Sequence, residues 1–201
     1  MQNFATTAPI AAILDIPAGL VQFIAADRAD TAVEVRPVDA SKSRDVKAAQ
    51  ETSVEYADGV LRITAKAGHQ ILGSSGSVEI TVQLPAGSRV EAKAASAEFR
   101  GVGRLGDIAF EAAQSDIKID EAAAVRLTTQ AGDVFVGRLN GSAEISTQKG
   151  DIEIGVAAGL SASLDAGTSY GRIHNSLKND GTPDVAIRAT TAYGDITARS
   201  L

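Results

Sequence analysis

The chain has 201 residues and a formal net charge of −6, with Lys and Arg scattered and no basic run, which argues against a phosphate-backbone-binding surface. Aromatic residues are 4% of the chain and Trp is absent, so stacking platforms for bases or sugars are weakly supported. Cys is absent, which excludes disulfides, thiolate metal sites and a thiol nucleophile.

The start, Met1-Gln2-Asn3-Phe4-Ala5-Thr6-Thr7, lacks the basic region and apolar core of a signal peptide. Pro9 to Ile16 is short and contains Asp15, and Gly19 to Ala26 carries Gln22. Neither approaches the ~20 apolar residues that a membrane helix needs. The expectation is a cytoplasmic protein with no direct membrane insertion.

Residues 4–90 read as an antiparallel β region. Ile10 to Ile16 is a strand closed by the turn tripeptide Pro17-Ala18-Gly19, and Leu20 to Ala26 is a second strand. Thr31 to Pro37 alternates cleanly and ends at its proline. Asp39 to Glu51 alternates in charge and is the one segment with helical character. Asp58-Gly59 marks a tight turn between Ser53–Tyr56 and Val60–Thr64. Gly68 to Ser77 reads as a flexible loop. Val78 to Leu84 is the clearest strand, stopped by Pro85-Ala86-Gly87.

From Arg89 onward a phrase recurs: a turn residue, an Asp and a short alternating apolar strand. It stands as Gln114-Ser115-Asp116-Ile117, Ala131-Gly132-Asp133-Val134, Lys149-Gly150-Asp151-Ile152, Tyr170-Gly171-Arg172-Ile173 and Tyr193-Gly194-Asp195-Ile196. The apolar residues after the corner fall 17, 18, 21 and 23 residues apart. Such a period predicts a β-solenoid or related stack. A second strand precedes each corner, at Asp107–Glu111, Val125–Thr129, Ala143–Thr147, Leu160–Ala166 and Val185–Thr191. Alternation predicts one buried and one wetted face per strand.

Thr168 to Asn175 and Ala189 to Ile196, with Asp15-Ile16-Pro17-Ala18-Gly19, Leu84-Pro85-Ala86-Gly87-Ser88 and Gly103-Arg104-Leu105-Gly106-Asp107, make the chain resemble a bacterial family. It is the toastrack family of β-strand-repeat proteins, of unknown function, whose members carry the name of candidate adhesins. The resemblance covers nearly the whole chain. It implies an all-β body of stacked strands, often encoded near membrane-stress or transporter systems, and supplies no catalytic residues. The name adhesin rests on fold analogy.

Stacked in register, Asp116, Asp133, Asp151 and Asp195 would form a carboxylate column about 4.8 Å apart, with Arg172 in one rung. Such a column could bind a hard cation. The expectation adopted is that each Asp caps its own turn, because no loop converges several oxygens on one point. His69 and His174 are far apart in sequence and nothing pairs them. Gly73-Ser74-Ser75-Gly76 precedes no helix, so it is not a phosphate cradle. Tyr170 and Tyr193 occupy equivalent repeat positions and are expected to stack as a structural pair.

The fold expected is all-β: an antiparallel region over 1–90 that caps a solenoid-like stack of short strands over 91–201. No catalytic, cofactor-binding or metal residue is assigned, no cofactor is expected and no nucleic acid is expected as a partner. The function expected is a non-enzymatic structural or interaction scaffold, a homo-oligomer or one that docks a protein partner. It would use its strand faces or an uncapped C-terminal rung after Asp195-Ile196. The alternatives are an enzyme or small-ligand-binding protein using a groove along the stack, and a cell-surface adhesin.

Overall fold

Strand alternation is realised as two facing columns of strands with one core between them. The computed structural model describes residues 1–65 and 76–201. The first elements are β1 (Gln2–Ala5), β2 (Ala11–Ala26), β3 (Asp30–Pro37), α1 (Ser43–Glu51), β4 (Ser53–Ala57), β5 (Val60–Thr64) and β6 (Val78–Pro85). The repeats follow as β7 (Arg89–Gln114), β8 (Ile117–Thr128), β9 (Val134–Leu139), β10 (Ala143–Ser146), β11 (Ile152–Val156), β12 (Ala162–Tyr170), β13 (Ile173–Ser176), β14 (Val185–Tyr193) and β15 (Ile196–Ser200).

Antiparallel pairing joins β1 with β3, β3 with β6, and β4 with β5, the last being the expected hairpin. Asp58 (φ 50°) and Gly59 (φ 77°) form the tight turn of the last hairpin. α1 lies within the segment predicted as helical. Its Asp45 is buried and accepts the Ser77 amide at 3.0 Å.

β2 differs from expectation. It runs unbroken through Pro17-Ala18-Gly19, which is a corner and not a reverse turn. Its first half pairs in parallel with β5 and with residues 89–94 of β7, and its second half with β6 and with residues 96–103. A reverse turn would make these partners antiparallel. A bend lets the ladder continue from one column into the other, and β2 thereby forms the first coil of the stack.

Each later coil repeats this plan, with one strand segment in each column, continuous through the corner in β7 and β8 and divided into separate strands after them. The coils are parallel, and outside shifts between Gly101 and Arg104 and between Ile154 and Val156 they are in register, so like positions stack. Ile117, Val134, Ile152 and Ile196 form one inward row, each at most 2% exposed. Phe23, Phe99 and Phe110 fill the wider N-terminal part, with ring centroids 5.8 and 4.7 Å apart. One hydrophobic cluster runs from Ile10 to Ile196. Each fully buried Ile or Phe contributes on the order of 2–3 kcal/mol.

At the corners a Cβ on Gly150 would lie 2.0 Å from the Gly132 carbonyl oxygen, and the φ of Gly150 is +149°. The rungs approach too closely there for any side chain. Buried threonines line the same corners. Thr129 Oγ1 donates to the Ala131 carbonyl at 3.0 Å and Thr191 Oγ1 to that of Gly150 at 3.1 Å.

The order of the last rungs overturns one expectation. β14 lies between β10 and β12, and β15 lies between β11 and β13. The uncapped C-terminal rung is therefore an internal one. After β11 the chain skips a level and lays down β12 and β13 about two strand spacings away, roughly 10 Å. Residues 177–184 then return, and β14 and β15 fill the gap. Among the described residues, the edge at this end of the stack belongs to β12 and β13. The Leu201 amide donates to the Val156 carbonyl at 2.9 Å, which ties down the chain end.

Candidate interaction face

The Gly-Asp corners build a single ladder. Asp116 Oδ1 accepts the Asp133 amide at 3.1 Å, Asp133 Oδ1 the Asp151 amide at 2.8 Å, and Asp151 Oδ1 the Asp195 amide at 2.7 Å. Each carboxylate caps the neighbouring rung, where the sequence pattern suggested its own turn. Arg172 ends the ladder. Its amide donates to Asp195 Oδ1 at 2.8 Å, and its Nη2 and Nε reach Asp195 Oδ2 at 2.6 and 3.1 Å. The hydrogen-bonded guanidinium, helped by the amide, holds the Asp195 carboxyl below the usual carboxylate range. Asp195 in turn raises the Arg172 guanidinium. An Asp at this place would have no further rung to cap, whereas the Arg clamps the rung behind it.

The outermost rung is more polar than the internal ones. Asn175 stands in the inward row that holds Ile154 and Ala198, and its Oδ1 accepts the Leu177 amide at 3.0 Å. Ile173, in the row of buried isoleucines, is 44% exposed. Polar substitution at a terminal rung blunts an open edge. The return loop is pinned by Asp180, which accepts the Thr182 amide at 3.0 Å and the Ser161 hydroxyl at 2.7 Å. These bonds, the amide first, lower its carboxyl.

Tyr170 and Tyr193 stack as expected, with centroids 4.8 Å apart and planes 5° from parallel. Both are exposed. His174 is exposed on β13, level with Thr197. His69 lies outside the described residues, as does most of the Gly73–Gly76 motif.

A further arrangement stands on the outer side of the first column. From β8 through β10 and β14 to β12, the outward residues are Arg126, Glu144, Arg188 and Asp165. Arg126 Nε lies 3.2 Å from Glu144 Oε2, and Arg188 Nε lies 3.3 Å from Asp165 Oδ2. All four side chains are exposed. The residues two positions earlier, on the same face, are Ala124, Ser142, Ala186 and Ser163, so the charged row rises from a floor of small side chains. A trough of about 780 Å³ follows this floor across the stack.

Sequence reasoning missed this row. Along the chain the four charges run plus, minus, minus, plus. The inserted rung re-sorts them to plus, minus, plus, minus. Stacked in sequence order, Glu144 would lie beside Asp165. The available signal is the shared position after Val125, Ala143, Leu164 and Ile187, but its meaning depends on the rung order.

Two parallel columns closed by antiparallel end strands, with capped corners, define a stacked-strand repeat protein. The family model Toastrack DUF4097 matches residues 19–199, and the chain belongs to that family. A candidate cell adhesion protein from Clostridium sporogenes ATCC 15579 has a similar structure, at 13% identity and a TM-score of 0.56, with 100% of this chain and 98% of that one covered. A candidate adhesin from Bacteroides fragilis NCTC 9343 aligns at 12% identity and a TM-score of 0.45, covering 98% of this chain and 95% of that one. Likeness at this identity is a likeness of fold. Among curated proteins none matches the chain.

Proposed function

We propose that the protein is a non-enzymatic interaction scaffold that docks a protein partner through the outer face of its first column. The carrying observation is the row Arg126, Glu144, Arg188 and Asp165 above its floor of Ala and Ser. It is a rigid face with fixed charge spacing, which suits recognition by complementarity. Small floor residues let a partner approach closely. The cytoplasm is the proposed compartment, checked by fractionation of the source cells.

The test places the photo-cross-linking residue p-benzoylphenylalanine at Ser142 and, as a control, at Thr197 on the opposite column. The scaffold reading predicts a discrete cross-linked protein from Ser142 and none from Thr197. Equal, diffuse labelling from both positions contradicts it.

The trough supports a second reading. Its volume of about 780 Å³ falls within the ~300–1,000 Å³ typical of small-ligand sites, and Arg126 and Arg188 could hold an anionic group. A screen of small anions by two-dimensional NMR tests this. Shifts confined to the trough support it, and their absence at millimolar concentrations removes it.

A further inference from the structure

We infer that the partner of this face is a second copy of the chain, docked about a two-fold axis that lies in the interface, parallel to the strands, between β10 and β14. This inference rests on the scaffold reading and names its partner.

Two observations carry it. The first is charge order. The row Arg126, Glu144, Arg188, Asp165 alternates in sign and has an even number of members. Rotation about this axis turns one face onto the other and reverses the row. Arg126 then meets Asp165 of the second copy, and Glu144 meets Arg188. All four contacts pair opposite charges. A two-fold axis along the stack would instead set each residue against its own copy, and like charges directly opposed are destabilising. The charge order thus selects one axis.

The second observation is period. The rungs repeat at about 4.8 Å, whereas side chains on one face of an extended peptide repeat at roughly 6.8 Å. A strand lying across the rungs loses register after one charge pair. A second stack has the same repeat and keeps register over all four. The neighbouring rows agree. Rotation sets Ala124 against Ser163 and Ser142 against Ala186, which are small on both sides. The next outward row sets Thr128 against Gly167 and Ser146 against Thr190.

Four rungs, about five residues wide, give roughly 300 Å² of each face in projection. That is well below the ~800 Å² per partner of a stable complex. The dimer is accordingly weak. Its exposed charge pairs make it sensitive to salt, because the Debye length falls from ~10 Å at 0.1 M to ~3 Å at 1 M.

Sedimentation equilibrium on the full chain, up to about 1 mM in low salt, tests the proposal. The wild type should shift toward the dimer mass with concentration, and high salt should weaken association roughly fivefold or more. Glu144→Arg turns the row into plus, plus, plus, minus and should abolish the dimer; Arg188→Glu should do the same. The double variant Glu144→Arg with Arg188→Glu reads plus, plus, minus, minus. It breaks the pairing within one copy yet remains complementary to a reversed copy, so it should restore the dimer. Circular dichroism checks that each variant is folded. A monomeric wild type at 1 mM overturns the proposal, as do single variants that dimerise normally or a double variant that stays monomeric. The Ser142 cross-linker separates the two levels. A cross-link to the chain itself near Ala186 supports the second copy. A cross-link only to a different protein overturns the second copy and leaves the scaffold reading standing. No cross-link at all sinks both.

Discussion

Arg172 binds Asp195 with its backbone amide and its guanidinium, although Asp195 follows it by 23 residues and lies one rung inside it. The last segment of the chain is therefore held between two earlier ones. Among the described residues, the outermost rung depends on it for its strand partners: β12 pairs with β14 and β13 with β15.

Removing residues 185–201 should therefore release more than the deleted strands. The remaining rung over 162–176 would face a gap where its partners stood. Hydrogen exchange read by mass spectrometry should show that segment fully unprotected in the truncated chain and protected in the whole one. Retained protection of 162–176 would mean that it pairs directly with β10 and β11.

The Arg172–Asp195 clamp gives the outer rung a pH dependence. The folded-state carboxyl of Asp195 lies below its ordinary value, so the clamp is fully present above about pH 4 and is lost as pH falls through the folded value. Amide exchange at Ile173 and His174, corrected for its intrinsic pH dependence, should accelerate on acidification below about pH 4. In Arg172→Ala it should already be faster at neutral pH, by roughly tenfold or less for an exposed pair. An Arg172→Ala chain with an unchanged acid profile would remove the clamp from the account.

Gly150→Ala should be strongly destabilising. The new Cβ would lie 2.0 Å from a backbone oxygen at a φ that L-residues rarely adopt. A loss of about 2–4 kcal/mol is expected in chemical denaturation. Gly59→Ala is the control. Its φ is +77°, but nothing lies within 4 Å of the new atom, and about 1 kcal/mol is expected. Equal losses at the two sites would show that packing between rungs adds nothing to the conformational cost.

Much of this fold is legible in the sequence, and the residues show why. Val78–Leu84 alternates because its inward residues are buried, and the Gly-Asp corners repeat because every rung turns at the same place. Pro17-Ala18-Gly19 is misleading locally. Turn chemistry and corner chemistry use the same residues, and only the parallel partners on both sides of the bend distinguish them. Rung order is harder still. Steps of 21 and 23 residues in place of 17 and 18 record the crossover segments, yet spacing alone does not say that the chain doubles back. The charged face inherits that difficulty, since Asp165 and Arg188 change places relative to their order in the chain.

Rung order can be measured directly, because the protein contains no cysteine of its own. Ser146 and Thr190 are register partners on β10 and β14, with hydroxyl oxygens 3.2 Å apart. Adjacent in-register strands set Cα atoms within the ~4.4–6.8 Å that a disulfide spans. The double variant Ser146→Cys with Thr190→Cys should oxidise to an intramolecular disulfide in the folded protein. Ser146→Cys with Gly167→Cys should not, because β14 stands between those strands. A disulfide in the second variant and none in the first would contradict the inserted rung and, with it, the charge order of the face.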